Sequence, residues 1–325
     1  MGLLNIWHFI HDKLRDGQKT MMVIKPVHSK YKSSNDEHII AVSSDGSTFG
    51  TIAEGALEYK EIEYCREKLK ETKVEPIFKK KLKRSKTLPK KSKSDELLTL
   101  IYMIFEPENA NIFEHLIRLS ATEENCSLFC SSEGNIKLIQ HNHPKKEFLF
   151  TESEDNSWSY QFPIDLRTNI FLIGADAIGL ALCKQLSLLD FKITLIDNRS
   201  ELDCSYHQDY YHSLKICTYR DIEKVINSSV KDYILILHHS SALDELLLSK
   251  LIHKPSKFIG IVATKDYIEK VKQNLFSKKL DPDKINKIQS PSSRLETSLN
   301  PAEMAVNIAA GLLAFKYQNV KRPIQ

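Results

Sequence analysis

The feature that most constrains the fold is the segment at residues 169–199, NIFLIGADAIGLALCKQLSLLDFKITLIDNR. An apolar run ends in Gly174, apolar residues then recur at helical spacing, and a second β-rich run ends in the acidic Asp197. A glycine turn that opens a helix, with an acid about 20 residues further on, is typical of the first βαβ unit of a dinucleotide-binding fold. The segment therefore predicts a strand, a tight turn, a helix and a second strand.

The glycine turn departs from the G-x-G-x-x-G pattern at its middle position. Gly174 and Gly179 stand at the first and third glycine positions, but Asp176 replaces the glycine that lets the backbone approach a pyrophosphate. A carboxylate at this position adds bulk and negative charge where a phosphate would bind. The sequence therefore predicts the fold, but weak or absent binding of NAD(P).

The length of 325 residues favours two domains. We predict an N-terminal domain at residues 1–160 and a C-terminal domain at residues 161–325. Strands and helices alternate through the first half, which indicates an α/β or α+β domain. In the second half the predicted strands, such as YILIL and FIGIV, are apolar without alternation, so both sheet faces are expected to be covered. This pattern predicts a Rossmann-like, doubly wound parallel sheet.

A basic segment interrupts the N-terminal domain. Residues 79–93 contain nine lysines and arginines, which accounts for the net charge of +4. The segment includes a proline and few large apolar residues, so residues 79–94 are predicted to form a solvated loop. An electrostatic surface for nucleic acid is the alternative, but only Phe78 is placed to stack on a base. We therefore favour an inert or partner-facing loop over a nucleic-acid function.

The cysteines and histidines favour a reduced protein without a metal site. Six cysteines at irregular spacing are typical of free thiols in the cytoplasm rather than of a disulfide framework. Cys126 and Cys130, followed by His141 and His143, have a spacing that also suits zinc. The two cysteines share one face of a strand in a predicted hairpin, which favours buried core residues instead. No apolar run approaches the roughly 20 residues of a membrane span, so none is predicted.

Several polar residues follow the predicted parallel strands of the second half. Ligands in open α/β sheets bind beyond the carboxyl ends of the strands. The residues expected to surround one crevice at this edge are Asp176, Asp197, Arg199, His239 and Lys265. The alternative is that these are ordinary polar residues at strand ends. Neither a nucleophile elbow nor a P-loop motif is present in the sequence, so no catalytic residues are predicted.

Four motifs, taken in order, resemble those of the XdhC/CoxI family. The first is DGSTFGTIAEGALE at residues 45–58, and the second is the glycine turn and helix described above. The third is LHHSSALDELLLSKLIHKPSKFIGIVATK at residues 237–265. The fourth is IQSPSSRLETSLNPAEMAVNIAAGLLAF at residues 288–315. The resemblance covers nearly the whole chain.

This resemblance implies an accessory protein that matures a molybdenum hydroxylase of the xanthine dehydrogenase type. The family is associated with binding molybdenum cofactor and delivering it to the apo-hydroxylase, without turnover of its own. A cytoplasmic homodimer is implied, with the apo-hydroxylase and a cysteine desulfurase as partners. The two glycine turns would leave backbone N–H donors for anionic groups of the pterin cofactor. The cofactor-binding residues expected from the resemblance and the crevice are Gly50, Gly55, Glu58, Gly174, Asp176, Gly179, Asp197, Arg199, His239 and Lys265.

The departures from the family pattern fall on its ligand-facing turns. Asp176 replaces a glycine and Ala177 a histidine, while Glu54 and Ala56 replace a glycine and a cysteine. Two further hypotheses therefore stand beside cofactor delivery: a Rossmann oxidoreductase that uses NAD(P), and a scaffold paralogue that binds no cofactor. An NAD enzyme would need Asp197 on the ribose and an open glycine turn.

Overall fold

The protein divides into two compact units, Met1–Leu166 and Arg167–Gln325. The predicted boundary at residues 160 and 161 falls inside a strand of the first unit, Trp158–Pro163. A computed structural model describes residues 3–26, 39–52, 55–83, 97–121, 125–141, 148–165, 167–200, 205–237, 240–291 and 300–317.

The described residues of the first unit form two antiparallel sheets and three α-helices, so of the two predicted classes it is α+β. One sheet has the strand order β3-β2-β1-β5-β4, with β1 at Thr20–Ile24, β2 at Ile39–Ser43, β3 at Thr48–Thr51, β4 at Ile77–Lys83 and β5 at Leu97–Phe105. The other has the order β7-β6-β9-β8, with β6 at Asn125–Ser131, β7 at Ile136–His141, β8 at Leu149–Glu152 and β9 at Trp158–Pro163. The helices are α1 at Leu3–Arg15, α2 at Ala56–Lys70 and α3 at Ala110–Ala121.

The five-stranded sheet is covered on both faces, which explains why β1 and β2 are apolar without alternation. On one face, Trp7 of α1 and Phe113 of α3 pack over the sheet in a core that extends to Phe162 of β9. The indole N–H of Trp7 also donates to the carbonyl of Ile164 at 3.0 Å. On the other face, α2 buries Cys65 and Leu69 in a second core.

The loop predicted at residues 79–94 is wrong for residues 79–83, which belong to strand β4 at Ile77–Lys83. Lys79 and Lys81 lie on one face of this edge strand and both bind Glu152, with 2.8 Å between Lys81 Nζ and the carboxylate. Hydrogen bonds from these two lysines lower the pKa of Glu152. Lys80 lies on the opposite face and binds the buried Glu61 at 3.1 Å. These three charges are therefore paired inside the unit; residues 84–94 lie outside the described residues.

The predicted hairpin of Cys126–Ser131 with Asn135–His141 is confirmed by the pairing of β6 with β7. Cys126 and Cys130 lie in the hydrophobic core, as expected, and burial raises the pKa of Cys130 to about 12. His141 Nε2 lies 2.9 Å from the hydroxyl oxygen of Ser127. His143 lies outside the described residues.

The second unit is a six-stranded, entirely parallel sheet, which confirms the Rossmann-like prediction. Its strand order is β12-β11-β10-β13-β14-β15, or 3-2-1-4-5-6 counted within the unit, as in dinucleotide-binding folds. The strands are β10 at Thr168–Ile173, β11 at Phe191–Asp197, β12 at Ser213–Ile216, β13 at Tyr233–Ile236, β14 at Phe258–Ile261 and β15 at Ile288–Gln289. The helices are α4 at Ala177–Leu188, α5 at Ile222–Val225, α6 at Ser241–Leu251, α7 at Lys265–Ser277, α8 at Pro282–Asn286 and α9 at Pro301–Tyr317.

Hydrophobic residues cover both faces of this sheet. Alternate residues of β10 point to opposite cores, with Phe171 in one and Leu172 in the other. Helices α6 and α7 line the first core, whereas α4 and α9 line the second. The strand order reverses between β10 and β13, which is the position where open α/β sheets form a ligand crevice.

None of the helices in the part of the chain that the structure describes is long and apolar enough to cross a membrane.

Candidate functional site

The turn between β10 and α4 has the backbone geometry that its glycines require. Gly174 has a φ of 117°, a conformation that side chains of L-residues rarely adopt. A Cβ on Gly179 would lie 2.1 Å from the carbonyl oxygen of Gly174, so α4 can start this close to the turn only with glycine there. The first and third glycines therefore perform the packing roles that the fold assigns to them.

Asp176, at the position of the missing glycine, is the N-cap of α4. Its backbone is extended, and its Oδ1 accepts a hydrogen bond from the N–H of Gly179 at 2.8 Å. A short carboxylate at the N-cap satisfies one of the N–H groups that a helix start leaves without an intrahelical partner. The side chain thus binds to the end of the helix where an anionic ligand would bind.

Asp197, at the end of β11, is a buried carboxylate with four hydrogen bonds. It is 1% exposed. Its Oδ2 accepts from the N–H of Ala175 at 2.8 Å and from Arg199 Nη2 at 2.9 Å. Its Oδ1 accepts from the N–H of Arg199 at 3.0 Å and from Nε of the same residue at 2.9 Å. Both oxygens are therefore used within the chain.

The electrostatics of the turn follow from this arrangement. Burial alone would raise the pKa of Asp197, but hydrogen bonds from Arg199 and Ala175 outweigh it and lower that pKa to about 2. The hydrogen bond with Asp197 and the nearby charge of Asp176 raise the pKa of Arg199. Tyr219, which no sequence motif indicates, is buried beside the pair, and burial together with the charge of Asp197 raises the pKa of Tyr219.

The structure brings together three of the five predicted crevice residues: Asp176, Asp197 and Arg199. Lys265 is the exposed first residue of α7, at the same edge of the sheet but after β14, two strands from β10. Since neighbouring strands are about 4.8 Å apart, that separation is roughly 10 Å. His239 lies outside the described residues.

Beside Lys265, a buried carboxylate connects α6 to α7. The hydroxyl of Tyr267 donates to Asp244 at 2.7 Å, and Asp244 is fully buried in the first turn of α6. Thr264 caps α7 by accepting from the N–H of Tyr267 at 3.4 Å. These contacts fix the start of α7, and with it the position of Lys265.

The predicted site in the first unit is a second glycine turn. Gly50 has a φ of 92°, and a Cβ there would lie 2.2 Å from the carbonyl oxygen of Ile39. Gly55 has a φ of 74° and precedes α2. Glu58, in the first turn of that helix, folds back and accepts from the N–H of Ile52 at 2.9 Å and from the hydroxyl of Thr51. Residues 53 and 54 lie outside the described residues.

Comparison with known proteins agrees with this fold. Residues 170–312 match the family model of the XdhC Rossmann domain. No curated protein matches the chain at a significant level.

Among solved structures, one described as a xanthine dehydrogenase from Bacillus halodurans aligns with 99% of this chain and 98% of its own. The sequence identity is 15% and the TM-score 0.68. A formate dehydrogenase from Granulicella aligns with 50% of this chain and 46% of its own at 16% identity, with a TM-score of 0.27 that is too low to indicate a shared fold. The second unit thus contains an XdhC Rossmann domain, at residues 170–312.

Proposed function

We propose that this chain is an accessory factor for a molybdenum hydroxylase of the xanthine dehydrogenase type. The XdhC Rossmann domain at residues 170–312 supports this proposal. The likeness in fold to a protein described as a xanthine dehydrogenase is consistent with a role connected to that class of enzyme. In this proposal the chain contacts the apo-hydroxylase, with a cysteine desulfurase as a further partner, and acts as a cytoplasmic homodimer.

The observation that carries the proposal is the state of the turn before α4. A nicotinamide-dependent enzyme binds the pyrophosphate at the N–H groups of this helix and the ribose at the acid after the second strand. Here the carboxylate of Asp176 accepts a hydrogen bond from the N–H of Gly179, and Asp197 accepts four hydrogen bonds from the chain itself. The Rossmann unit therefore has the fold of a dinucleotide-binding domain, but the N–H groups of Ala175 and Gly179 at its turn are already bound by carboxylates. This favours an accessory role over a redox role.

Molybdenum cofactor supplies the metal centre of such a hydroxylase, and delivery of this cofactor is the finer form of the proposal. The turn from Gly174 to Gly179 does not fit the cofactor's phosphate. Two carboxylates lie at the turn, and the guanidinium of Arg199 beside them is already bound to Asp197. A cofactor carried by this chain would therefore have to be bound by other residues.

The same observation favours a second candidate, a scaffold that assists the hydroxylase without holding cofactor. To distinguish it from a carrier, the protein is purified from a molybdenum-replete host. Metal analysis and the fluorescence of oxidised pterin then measure what it holds. Near-stoichiometric pterin supports the carrier, whereas protein free of pterin that still restores hydroxylase activity supports the scaffold.

Deletion of the gene tests the accessory role itself. We expect the hydroxylase polypeptide to remain present while its activity and molybdenum content fall, and both to recover when the gene is restored. Unchanged activity and unchanged molybdenum content in the deletion strain would contradict the accessory role.

A further inference from the structure

We infer that Asp176 is the specificity-determining residue that keeps an otherwise intact pyrophosphate site closed, because its carboxylate takes the place of a phosphate oxygen. This inference concerns the second unit by itself and does not depend on the proposed function. It differs from simple charge repulsion, since a hydrogen bond to the helix rather than the charge alone excludes the ligand.

Apart from the middle glycine, the backbone features of a pyrophosphate site are retained around Asp176. The strand order reverses between β10 and β13, and the left-handed conformation of Gly174 and the close approach at Gly179 are present. A chain whose turn had changed its backbone would need several substitutions to bind a phosphate. In this chain the turn has those backbone features, and the side chain of Asp176 binds the N–H of Gly179, where a phosphate oxygen would bind.

The carboxylate of Asp176 has the geometry of a bound anion. Its Oδ1 lies 2.8 Å from the N–H of Gly179, within the usual range for a hydrogen bond from an amide to an anionic oxygen. The N–H of Ala175 is engaged in the same way by Asp197, so two N–H groups of the turn already have anionic partners from the chain. The two carboxylates thus supply internally the negative charge that a phosphate would bring to the helix N-terminus.

The two carboxylates differ in how easily they can be removed. Asp197 is buried and paired with Arg199, so its loss would disturb β11. Asp176 has no such role in the core, and its side chain is only partly buried. A change at Asp176 alone is therefore expected to reopen the phosphate position. Because Asp197 remains bound within the chain, inorganic pyrophosphate is a better probe than a whole dinucleotide.

The test is calorimetric titration of the full chain with inorganic pyrophosphate. Asp176→Gly removes both the side chain and the cap, and we expect it to bind at least about tenfold more tightly than wild type. Asp176→Asn removes the charge but keeps a side chain that caps helices well, so we expect its affinity to stay within about threefold of wild type. Equal gains in the two variants would mean that charge repulsion excludes the ligand, and would overturn the inference.

A matched control is Asp281→Gly. Asp281 also caps a helix, accepting from the N–H of Asp283 at 3.0 Å. Its helix α8, however, leads into the start of β15, whereas α4 follows the carboxyl end of β10. Asp281→Gly removes the same carboxylate side chain as Asp176→Gly, and we expect no gain in the affinity for pyrophosphate. A gain in this variant equal to that of Asp176→Gly would also contradict the inference.

A measurement on wild type covers the case in which Asp176→Gly does not fold. The amide resonance of Gly179 is followed by NMR while pyrophosphate is added. We expect no change, because the N–H is already bound to Asp176. Movement of this resonance that saturates with pyrophosphate would show that a phosphate reaches the helix, and would overturn the inference.

Discussion

The two units each contain a glycine turn held by a carboxylate from further along the chain, but the two carboxylates lie in different surroundings. In the first unit, Glu58 is partly exposed and accepts from the N–H of Ile52. In the second, Asp197 is buried, accepts from the N–H of Ala175 and is bound on both oxygens by Arg199. A carboxylate in contact with water exchanges partners at little cost, whereas a buried one must keep all of them.

This difference indicates which turn is fixed and which can adapt. The bonds of Asp197 connect β10, β11 and the start of α4, so a ligand that needed this carboxylate would have to break a structural contact. The hydrogen bond between Glu58 and the N–H of Ile52 connects the two ends of a short loop. Amide hydrogen exchange in the central strands of a unit measures the stability of that unit, and exchange in α4 measures that of the helix.

The largest effect is expected for Gly179→Ala. A Cβ there would meet the carbonyl oxygen of Gly174 at 2.1 Å, so α4 must move away from the turn. We expect the free energy of opening of β10 to fall by more than about 3 kcal/mol. The matched change in the first unit is Gly55→Ala, where the added Cβ has no atom within 4 Å among the described residues beyond its chain neighbours. The backbone conformation of Gly55, with a φ of 74° and a ψ of −137°, opposes the change at a cost of about 1–3 kcal/mol, measured in β1. Equal losses would contradict the comparison.

The next effect is expected for the carboxylates themselves. Asp197→Asn replaces a buried carboxylate that accepts four hydrogen bonds with a neutral amide that cannot accept all of them, and we expect a loss of about 2–3 kcal/mol in the exchange protection of β10 and β11. Glu58→Gln changes a partly exposed group and should cost less than about 1 kcal/mol in β1 and β2. A smaller loss at Asp197 than at Glu58 would show that burial does not control the strength of these contacts.

Acid should lower the free energy of unfolding of the second unit as the pH falls from about 4 to about 2. The pKa of Asp197 is lowered from 3.8 to about 2, so its contribution is fully present above pH 4 and is lost as the pH falls towards 2. A shift of this size corresponds to about 2 kcal/mol, of which roughly half is lost by pH 3. Asp197→Asn should lack this part of the acid dependence. Parallel pH profiles for the variant and wild type would contradict the assignment.

The smallest effect is expected for the helix cap. Asp176→Ala removes the bond to the N–H of Gly179 and should destabilise α4 by about 1 kcal/mol, measured by hydrogen exchange in that helix. Asp176→Asn, which retains a capping group, is the control and should cost less than half as much. If both variants cost nothing, Asp176 does not cap α4 in solution.

The sequence predicted the second unit well because its strands are buried on both faces. Runs such as Tyr233–Ile236 and Phe258–Ile261 are apolar throughout, and this pattern has few alternatives to a covered parallel sheet. The sequence did not predict strand β4, because its run of lysines is typical of a solvated loop. The partners of these lysines, Glu61 and Glu152, are distant in sequence. The domain boundary predicted at residues 160 and 161 falls inside strand β9, although Trp158, Tyr160 and Phe162 alternate as in a half-buried strand.

The candidate site was predicted in position but not in its bonding. Asp176 was interpreted as a carboxylate that repels phosphate, although an aspartate directly before a helix also has the sequence signature of an N-cap. No local pattern could show that Asp197 binds the N–H of Ala175, because 22 residues separate them and β10 and β11 must first pair. Its bidentate contact with Arg199, by contrast, lies within two residues.

The most direct test of the central claim is calorimetric titration of the wild-type protein with NAD⁺ and NADH. The claim is that the carboxylates of Asp176 and Asp197 keep the Rossmann turn closed to a dinucleotide. We predict no measurable heat of binding with either ligand at millimolar concentration. Saturable binding with a micromolar Kd would contradict the claim and would support a nicotinamide-dependent enzyme instead.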